Sequence, residues 1–231
     1  MRVLVTPDYQ TLSKTAAELI LKAVRAKPAL TLGLPTGKTP LGMYGELVRA
    51  YRGQHLDFSK LRTFNLDEFA GLAKDDPRSY SVYMRERFFD HVNIPPGNIH
   101  FPEHDNAYEK EIANAGGIDL LIIGIGSNGH IAFNEPGSSF NSRTREVELA
   151  PETIENAKKD FGSATAPAHA VTMGIATILD SRCIVLLASG AAKKRIVHRA
   201  LHGPVSEAVP GSALQTHPNV VAIVDEDASS E

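Results

Sequence analysis

The sequence has one cysteine, no tryptophan and few aromatic residues, which make up 6% of its 231 residues. A single thiol, Cys183, excludes an intramolecular disulfide and a metal cluster held by several cysteines. Charge of one sign is not in excess either, because 24 Lys and Arg residues are balanced by 27 Asp and Glu residues, for a net charge of −3. Proteins that bind nucleic acids or anionic membranes usually carry an excess of basic residues. We therefore expect a small-molecule partner, and neither of those two.

Long hydrophobic runs are also missing. No apolar run approaches the roughly 20 residues of a membrane-spanning helix, and the chain enters a strand-like segment at residues 3–5 without the hydrophobic core of a signal peptide. We therefore expect a cytoplasmic protein. With 42% hydrophobic residues, a chain of this length forms one domain that buries roughly three quarters of its unfolded surface, so residues 1–231 are predicted to be a single domain.

The chain does contain a regular alternation of apolar strand-like runs and helical patterns. It predicts an α/β fold with a mostly parallel sheet and helices on both faces. The acidic tail at 225–231 is expected to fray. Residues 162–167 could hinge a lid around 151–167, although an ordinary surface connection explains them equally well. The strand-like runs are residues 3–5, 30–34, 61–66, 120–125, 170–173, 183–188 and 220–224.

A glycine-rich turn follows the most apolar of these runs, at residues 124–129. Asn128, His130 and Glu135 lie in or just after it, and α/β sheets bind ligands at the carboxyl ends of their strands. The turn matches the dinucleotide fingerprint GxGxxG, but that fingerprint must open a helix, and Asn134, a proline and a glycine follow too soon. A histidine in such a turn is more often structural, yet Glu135 is close enough in sequence to orient this one for proton transfer.

A second glycine turn, Thr36-Gly37-Lys38-Thr39, follows the strand at 30–34. Together with Gly33 it resembles a P-loop, but only three residues separate Gly33 from Gly37, where that motif requires four between its glycines. What remains is a turn before a helix, whose exposed backbone N–H groups suit a phosphate. Lys38 either adds charge to such a site or is simply solvated.

Two further positions have a functional interpretation and a structural alternative. Helical spacing places Lys193 among apolar side chains near the start of a helix, so its ammonium needs an anion such as a phosphate, or snorkels, or pairs with a core carboxylate. Asp67 and Glu68 are adjacent at a strand end, where neighbouring side chains point to opposite sides. One of them can therefore face the crevice while the other does not, although a carboxylate at this position could equally cap the next segment.

Five segments together closely resemble the glucosamine-6-phosphate deaminase family, in its short form without a C-terminal extension. The resemblance covers nearly the whole chain and implies a three-layer α/β/α, Rossmann-like open sheet. The implied reaction converts glucosamine 6-phosphate and water into fructose 6-phosphate and ammonia without a metal or other cofactor. Galactosamine 6-phosphate is an alternative substrate, and a 6-phosphogluconolactonase-type hydrolase and a non-catalytic sugar-phosphate sensor are alternative functions. The segments are residues 32–44, 63–72, 79–95, 124–145 and 170–181.

The resemblance also implies roles for individual residues. Asp67 is expected to move a proton between C2 and C1 of the sugar, and His130 is expected to open the ring with support from Glu135 and Asn128. The substrate phosphate is expected to bind Thr36, Gly37, Lys38, Thr39, Lys193 and a lid lysine, Lys158 or Lys159.

Three departures from the family pattern are visible. Asn128 stands where longer members have an aspartate, and Lys158 or Lys159 replaces an arginine on the lid. Hexameric members bind an activating N-acetylated sugar phosphate through a basic stretch after their SRTR motif and through a C-terminal extension. Here acidic residues 146 and 148 follow that motif. We therefore expect no such activation, and a monomer or small homo-oligomer.

Overall fold

The computed structural model describes residues 1–54, 56–73, 75–103, 107–162 and 165–229. Its strands are β1 (Arg2–Thr6), β2 (Thr31–Leu34), β3 (Arg62–Asn65), β4 (Asp67–Phe69), β5 (Ile99–His100), β6 (Leu120–Gly124), β7 (Arg145–Glu148), β8 (His169–Thr172), β9 (Ile184–Ala188) and β10 (Val220–Asp225). Its α-helices are α1 (Tyr9–Ala26), α2 (Leu41–Gln54), α3 (Tyr80–Arg87), α4 (Ala107–Asn114), α5 (Pro151–Phe161), α6 (Ile175–Leu179) and α7 (Lys194–His202).

Seven strands form one parallel sheet in the order β1-β10-β9-β6-β2-β3-β5. Successive side chains of β6 point to opposite faces, so Leu121 and Ile123 join one core and Leu120 and Ile122 join the other. Helices α1, α2 and α3 pack on the second of these faces, and α4, α6 and α7 pack on the first. The predicted three-layer α/β/α architecture is confirmed.

A second, three-stranded antiparallel sheet in the order β4-β8-β7 was not expected. The apolar run at 170–173 was predicted as a strand, and β8 is that strand, but it lies outside the parallel sheet. Alternating apolar residues indicate a strand without naming its partner. Because β4 begins at Asp67, separated from the end of β3 by one residue, its pairing with β8 helps to position that carboxylate.

The small sheet and α5 enclose a third apolar cluster that includes Phe69, Phe133 and Ala157. Phe161, the last residue of α5, packs edge-on against Phe69 with ring centroids 5.3 Å apart. The segment expected to be a lid is thus a helix packed over the small sheet. Its movement remains a prediction, and residues 163–164 of the proposed hinge lie outside the described residues.

The carboxyl terminus differs from the expectation of a frayed tail. Strand β10 runs to Asp225, whose side chain is buried and accepts hydrogen bonds from the backbone N–H groups of Gly190 and Ala228. The acidic composition predicted that the tail lies in solvent. The Asp225 carboxylate instead accepts hydrogen bonds from backbone N–H groups within the fold. In the described part of the tail, Asp225, Ala228 and Ser229 are buried, whereas Glu226 and Asp227 are exposed. None of the described helices is long and apolar enough to cross a bilayer.

Candidate active site

A cavity of about 450 Å³ opens at the carboxyl ends of the parallel strands. Predicted site residues from distant parts of the chain line it together: the turn Thr36–Thr39, Asp67, His130 and Lys193. Asn128, Glu135 and Lys158 were also predicted but do not line it. The first two lie behind His130, as described below.

The phosphate-binding turn predicted at Thr36–Thr39 leads from β2 towards α2. Gly37 has a φ of 92°, a left-handed conformation that glycine adopts without strain. This conformation reverses the chain and leaves the turn partly exposed at the cavity. The turn can therefore offer backbone N–H groups at the start of a helix, which is a favourable environment for an anion.

Asp67 is a buried acid, with only 6% of its surface exposed. Burial and, to a smaller extent, the neighbouring Glu68 carboxylate raise the pKa of Asp67 to about 8. Its Oδ1 atom is buried and has no hydrogen-bond partner among the described residues. A carboxylate that lines a cavity and has a pKa near neutrality is suited to take and return a proton.

Glu68 points the other way, as strand alternation predicted. Its two carboxylate oxygens accept hydrogen bonds from the backbone N–H groups of Phe69, Tyr80 and Ser81, each at 2.8 Å. Burial raises the pKa of Glu68, and these three hydrogen bonds oppose that shift. Of the two adjacent acids, Asp67 faces the cavity and Glu68 caps α3.

The imidazole of His130 lies directly on the backbone of Gly126. A Cβ atom at position 126 would come within 2.2 Å of the ring, so only glycine fits there. Gly126, the second glycine of the fingerprint-like turn, thus makes room for the His130 ring. Ala132, two residues further on, lines the same cavity with a φ of 50°, which is unusual for a residue with a side chain.

Glu135 lies behind His130, with its Oε2 atom 3.5 Å from His130 Nδ1. It also accepts hydrogen bonds from the Asn128 side-chain amide, at 2.7 Å, and from the Thr153 hydroxyl. Burial alone would raise the pKa of Glu135, but these hydrogen bonds and the His130 charge lower it to about 2. Glu135 is therefore ionised at neutral pH and can stabilise a protonated imidazole.

Two features of this group differ from the prediction. The Asn128 amide was expected to orient the His130 ring, but it binds Glu135 and the His130 backbone N–H instead. Thr153, on α5, was not predicted at all. It is 18 residues from Glu135, and no local pattern connects the two.

Lys193 reaches the cavity from the 3₁₀ turn before α7, and its ammonium donates to the Ile125 carbonyl at 2.8 Å. Burial lowers the pKa of Lys193, partly offset by the Glu152 carboxylate. Asp225 positions this turn through Gly190. Sequence reasoning missed Asp225 because the two residues are 35 positions apart.

The two lid lysines have different environments. Lys159 lines the cavity, whereas Lys158 forms an ion pair with Glu155 at 2.6 Å on α5. Lys158, which was predicted at the phosphate, thus lies outside the cavity lining, and Lys159 is the one of the two lysines that lines it. Phosphate binding by either lysine remains a prediction. The sequence left this choice open because adjacent helical residues differ by about 100° in direction, and it did not show which face of α5 meets the cavity.

The described residues contain no evident metal-binding site. Within the described ranges, no three His, Cys, Asp or Glu side chains are grouped so that they could hold an ion. The polar groups that line the cavity are suited to acid–base chemistry and anion binding.

Comparison with known proteins agrees with this geometry. A family model described as glucosamine-6-phosphate isomerases/6-phosphogluconolactonase matches residues 8–222. A glucosamine-6-phosphate deaminase of Clostridium botulinum (strain Loch Maree / Type A3) is 47% identical over 240 residues, covering 100% of this chain and 98% of the relative. One from Thermoanaerobacter pseudethanolicus is 45% identical over 239 residues, covering 100% of this chain and 94% of the relative.

Solved structures are similar over the same length. A monomeric glucosamine-6-phosphate deaminase superposes with a TM-score of 0.96 at 42% identity, covering 99% of this chain and 98% of its own. The 6-phosphogluconolactonase of Trypanosoma cruzi superposes with a TM-score of 0.76 at 20% identity, covering 98% and 95%, which shows a shared fold only. The chain therefore belongs to the glucosamine-6-phosphate isomerase/6-phosphogluconolactonase family.

Proposed function

We propose that this protein is a glucosamine-6-phosphate deaminase, which converts glucosamine 6-phosphate and water into fructose 6-phosphate and ammonia. The observation that carries the proposal is the single cavity lined by Asp67, His130, Lys193 and the turn Thr36–Thr39. The deaminases among its relatives are 45–47% identical to it, whereas the lactonase is 20% identical. This difference favours the deaminase over the lactonase.

The phosphate is held at one end of the cavity. The N–H groups of the turn Thr36–Thr39 and the ammonium of Lys193 supply hydrogen bonds and positive charge to the dianion. Lys159 adds charge from α5. These contacts fix the sugar so that its reacting carbons lie at the other end.

Ring opening is assigned to His130. Its imidazole takes the proton of the anomeric hydroxyl and delivers a proton to the ring oxygen, which breaks the C1–O5 bond and gives the open-chain aldehyde. Ionised Glu135 stabilises the protonated ring during this transfer. Thr153 and Asn128 keep Glu135 in place through their hydrogen bonds.

Isomerisation and deamination follow at Asp67. Its carboxylate removes the proton from C2 while the C1 oxygen is protonated, which gives an enolamine, and then returns a proton to C1. C1 is thereby reduced to the alcohol and C2 is oxidised to the imine, because the amino group gives up the proton that balances the one gained by the C1 oxygen. Water then adds to C2 and ammonia leaves, which gives the ketone of fructose 6-phosphate. Positioned acids and bases of this type are each worth ~10² to 10⁴-fold in rate.

The direct test is a stoichiometric assay on the purified protein. Incubation with glucosamine 6-phosphate is expected to release ammonia and fructose 6-phosphate in equal amounts. Galactosamine 6-phosphate, run in parallel, gives the stereochemical preference. Hydrolysis of 6-phosphogluconolactone without any ammonia release from either amino sugar would contradict the proposal and favour the lactonase.

We also infer that the protein is a monomer or small homo-oligomer. The similarity to a deaminase described as monomeric supports this assignment. Sedimentation equilibrium is expected to give a mass near the 25.0 kDa of one chain, or a low multiple of it. A hexamer in this measurement would contradict the inference.

A further inference from the structure

The segment from Asp67 to α3 connects the two ends of the cavity. Asp67 lies at the proton-transfer end, and the next residue, Glu68, accepts the first two N–H groups of α3, from Tyr80 and Ser81. One turn further along α3, the Tyr83 hydroxyl donates to the carbonyl of Gly37 at 2.6 Å. A single short helix thus contacts both the residue beside the catalytic acid and the phosphate-binding turn.

Two other tyrosines hold the same turn. The buried Tyr44 hydroxyl donates to the Pro35 carbonyl at 2.6 Å. The Tyr9 hydroxyl accepts from the Gly42 N–H at 2.8 Å and donates to the Lys38 carbonyl at 3.2 Å. Three of the six tyrosines therefore bind backbone atoms between residues 35 and 42.

These contacts engage carbonyl groups of a turn whose N–H groups are needed elsewhere. A carbonyl oxygen held by a tyrosine fixes the adjoining peptide plane, and with it the direction of the N–H in that plane. The Tyr83 hydroxyl donates to the carbonyl of Gly37. The same peptide group contains the N–H of Lys38. The Tyr83 hydroxyl thus controls how one phosphate donor is aimed.

Helix α3 is itself firmly placed. Ser79 caps its N-terminus by accepting from the Val82 N–H at 3.1 Å, and Met84 is fully buried. Phe88, directly after the helix, stacks on the Tyr44 ring with centroids 5.2 Å apart. The helix is therefore anchored at both ends and cannot shift without moving the turn.

We propose that α3 is a rigid spacer that sets the separation between the Asp67 carboxylate and the phosphate-binding turn, with Glu68 and Tyr83 as its positioning residues. The proposal rests on the proposed function and assigns how the site measures its substrate. A hexose 6-phosphate fits only if the distance between its phosphate and C2 matches this spacing.

The decisive variant is Tyr83→Phe, which removes only a hydroxyl. We expect KM for glucosamine 6-phosphate to rise by about threefold to tenfold, the typical effect of one lost hydrogen bond, with kcat within about twofold of wild type. The dissociation constant of fructose 6-phosphate, measured by calorimetry, is expected to rise by the same factor. The matched control is Tyr51→Phe, because Tyr51 packs on Phe58 away from the turn and is expected to change neither value.

Glu68→Gln tests the other end of the spacer. An amide offers only one acceptor oxygen for the N–H groups that Glu68 now binds, so KM is expected to rise here as well. In the double variant with Tyr83→Phe, the rise in KM is expected to be smaller than the product of the two single effects, because both changes release the same helix.

The experiments distinguish an error in the proposed role of α3 from an error in the proposed function. If the wild type releases no ammonia, the proposed function is wrong. If the wild type is active but Tyr83→Phe keeps the wild-type KM and product affinity, the proposed role of α3 is wrong. The same conclusion follows if Tyr83→Phe lowers kcat alone. Strictly multiplicative effects in the double variant would also overturn it.

Discussion

The two ends of the cavity differ in how their polar groups meet solvent. At the proposed phosphate end, the turn Thr36–Thr39 is partly exposed and Lys193 is half-buried. At the proposed proton-transfer end, Asp67 is 6% exposed and the Glu135 side chain 15%. A dianion needs accessible hydrogen-bond donors, whereas a general base needs an environment that brings its pKa towards neutrality. Under the proposed function, binding and chemistry belong to separate parts of the site, so variants at the two ends should separate effects on KM from effects on kcat.

The strongest test of this separation is Asp67→Asn. The amide cannot accept a proton from C2, so kcat is expected to fall by at least ~10³-fold, towards the upper range for a positioned base. KM is expected to change by less than about threefold, because the phosphate contacts remain. Steady-state kinetics with the ammonia assay measure both. Full activity in this variant would remove Asp67 from the mechanism.

The next test changes the phosphate end. Lys193→Ala removes a charged hydrogen-bond donor and is expected to raise KM by about 10- to 100-fold, with a much smaller change in kcat. Lys194→Ala is the matched control, since the neighbouring side chain is exposed and lies outside the cavity lining. A large loss of kcat in Lys193→Ala, with KM unchanged, would show that the two ends are not separate.

The pH dependence of kcat/KM tests the proton-transfer end of the cavity. Burial raises the pKa of Asp67 to about 8, and a base is active only when ionised, so kcat/KM is expected to fall as pH decreases through that value. The slope should approach about tenfold per pH unit. Because the Glu68 charge contributes to the raised pKa, Glu68→Gln is expected to move the inflection to lower pH. An inflection that does not respond to Glu68→Gln would assign it to another group.

The smallest expected effect distinguishes the two lid lysines. Lys159→Ala is expected to raise KM by about twofold to fivefold, as an exposed cation near a dianion does. Lys158→Ala removes an ion pair with Glu155 outside the cavity and is expected to leave KM unchanged. Equal effects in the two variants would contradict the placement of Lys159 at the phosphate.

Much of the fold was predictable from local pattern. The seven strand-like runs are all strands, and the glycine turns at Gly37 and Gly126 lie where the sequence placed them. Their periodicity and turn residues act over a few positions, so no distant contact is needed to recognise them. The three-stranded antiparallel sheet was not predictable in the same way, because strand pairing joins segments about 100 residues apart.

The candidate site was predictable as a set of residue types but not as an arrangement. Alternation along β4 indicated that Asp67 and Glu68 diverge, but not which of them faces the cavity. Thr153 and Asp225 were missed because each acts on a residue far along the chain. Lys158 and Lys159 could be separated only once the orientation of α5 was known.

The sequence by itself determined the order of strands and helices, the glycines that permit sharp turns, and the ionisable groups available for chemistry. Only the tertiary structure decided which of those groups are removed from water together, and hence that Asp67 has a raised pKa and Glu135 a lowered one. The physical reason is that turns and periodicities depend on neighbours in sequence. Desolvation and charge–charge interaction depend on every group nearby in space.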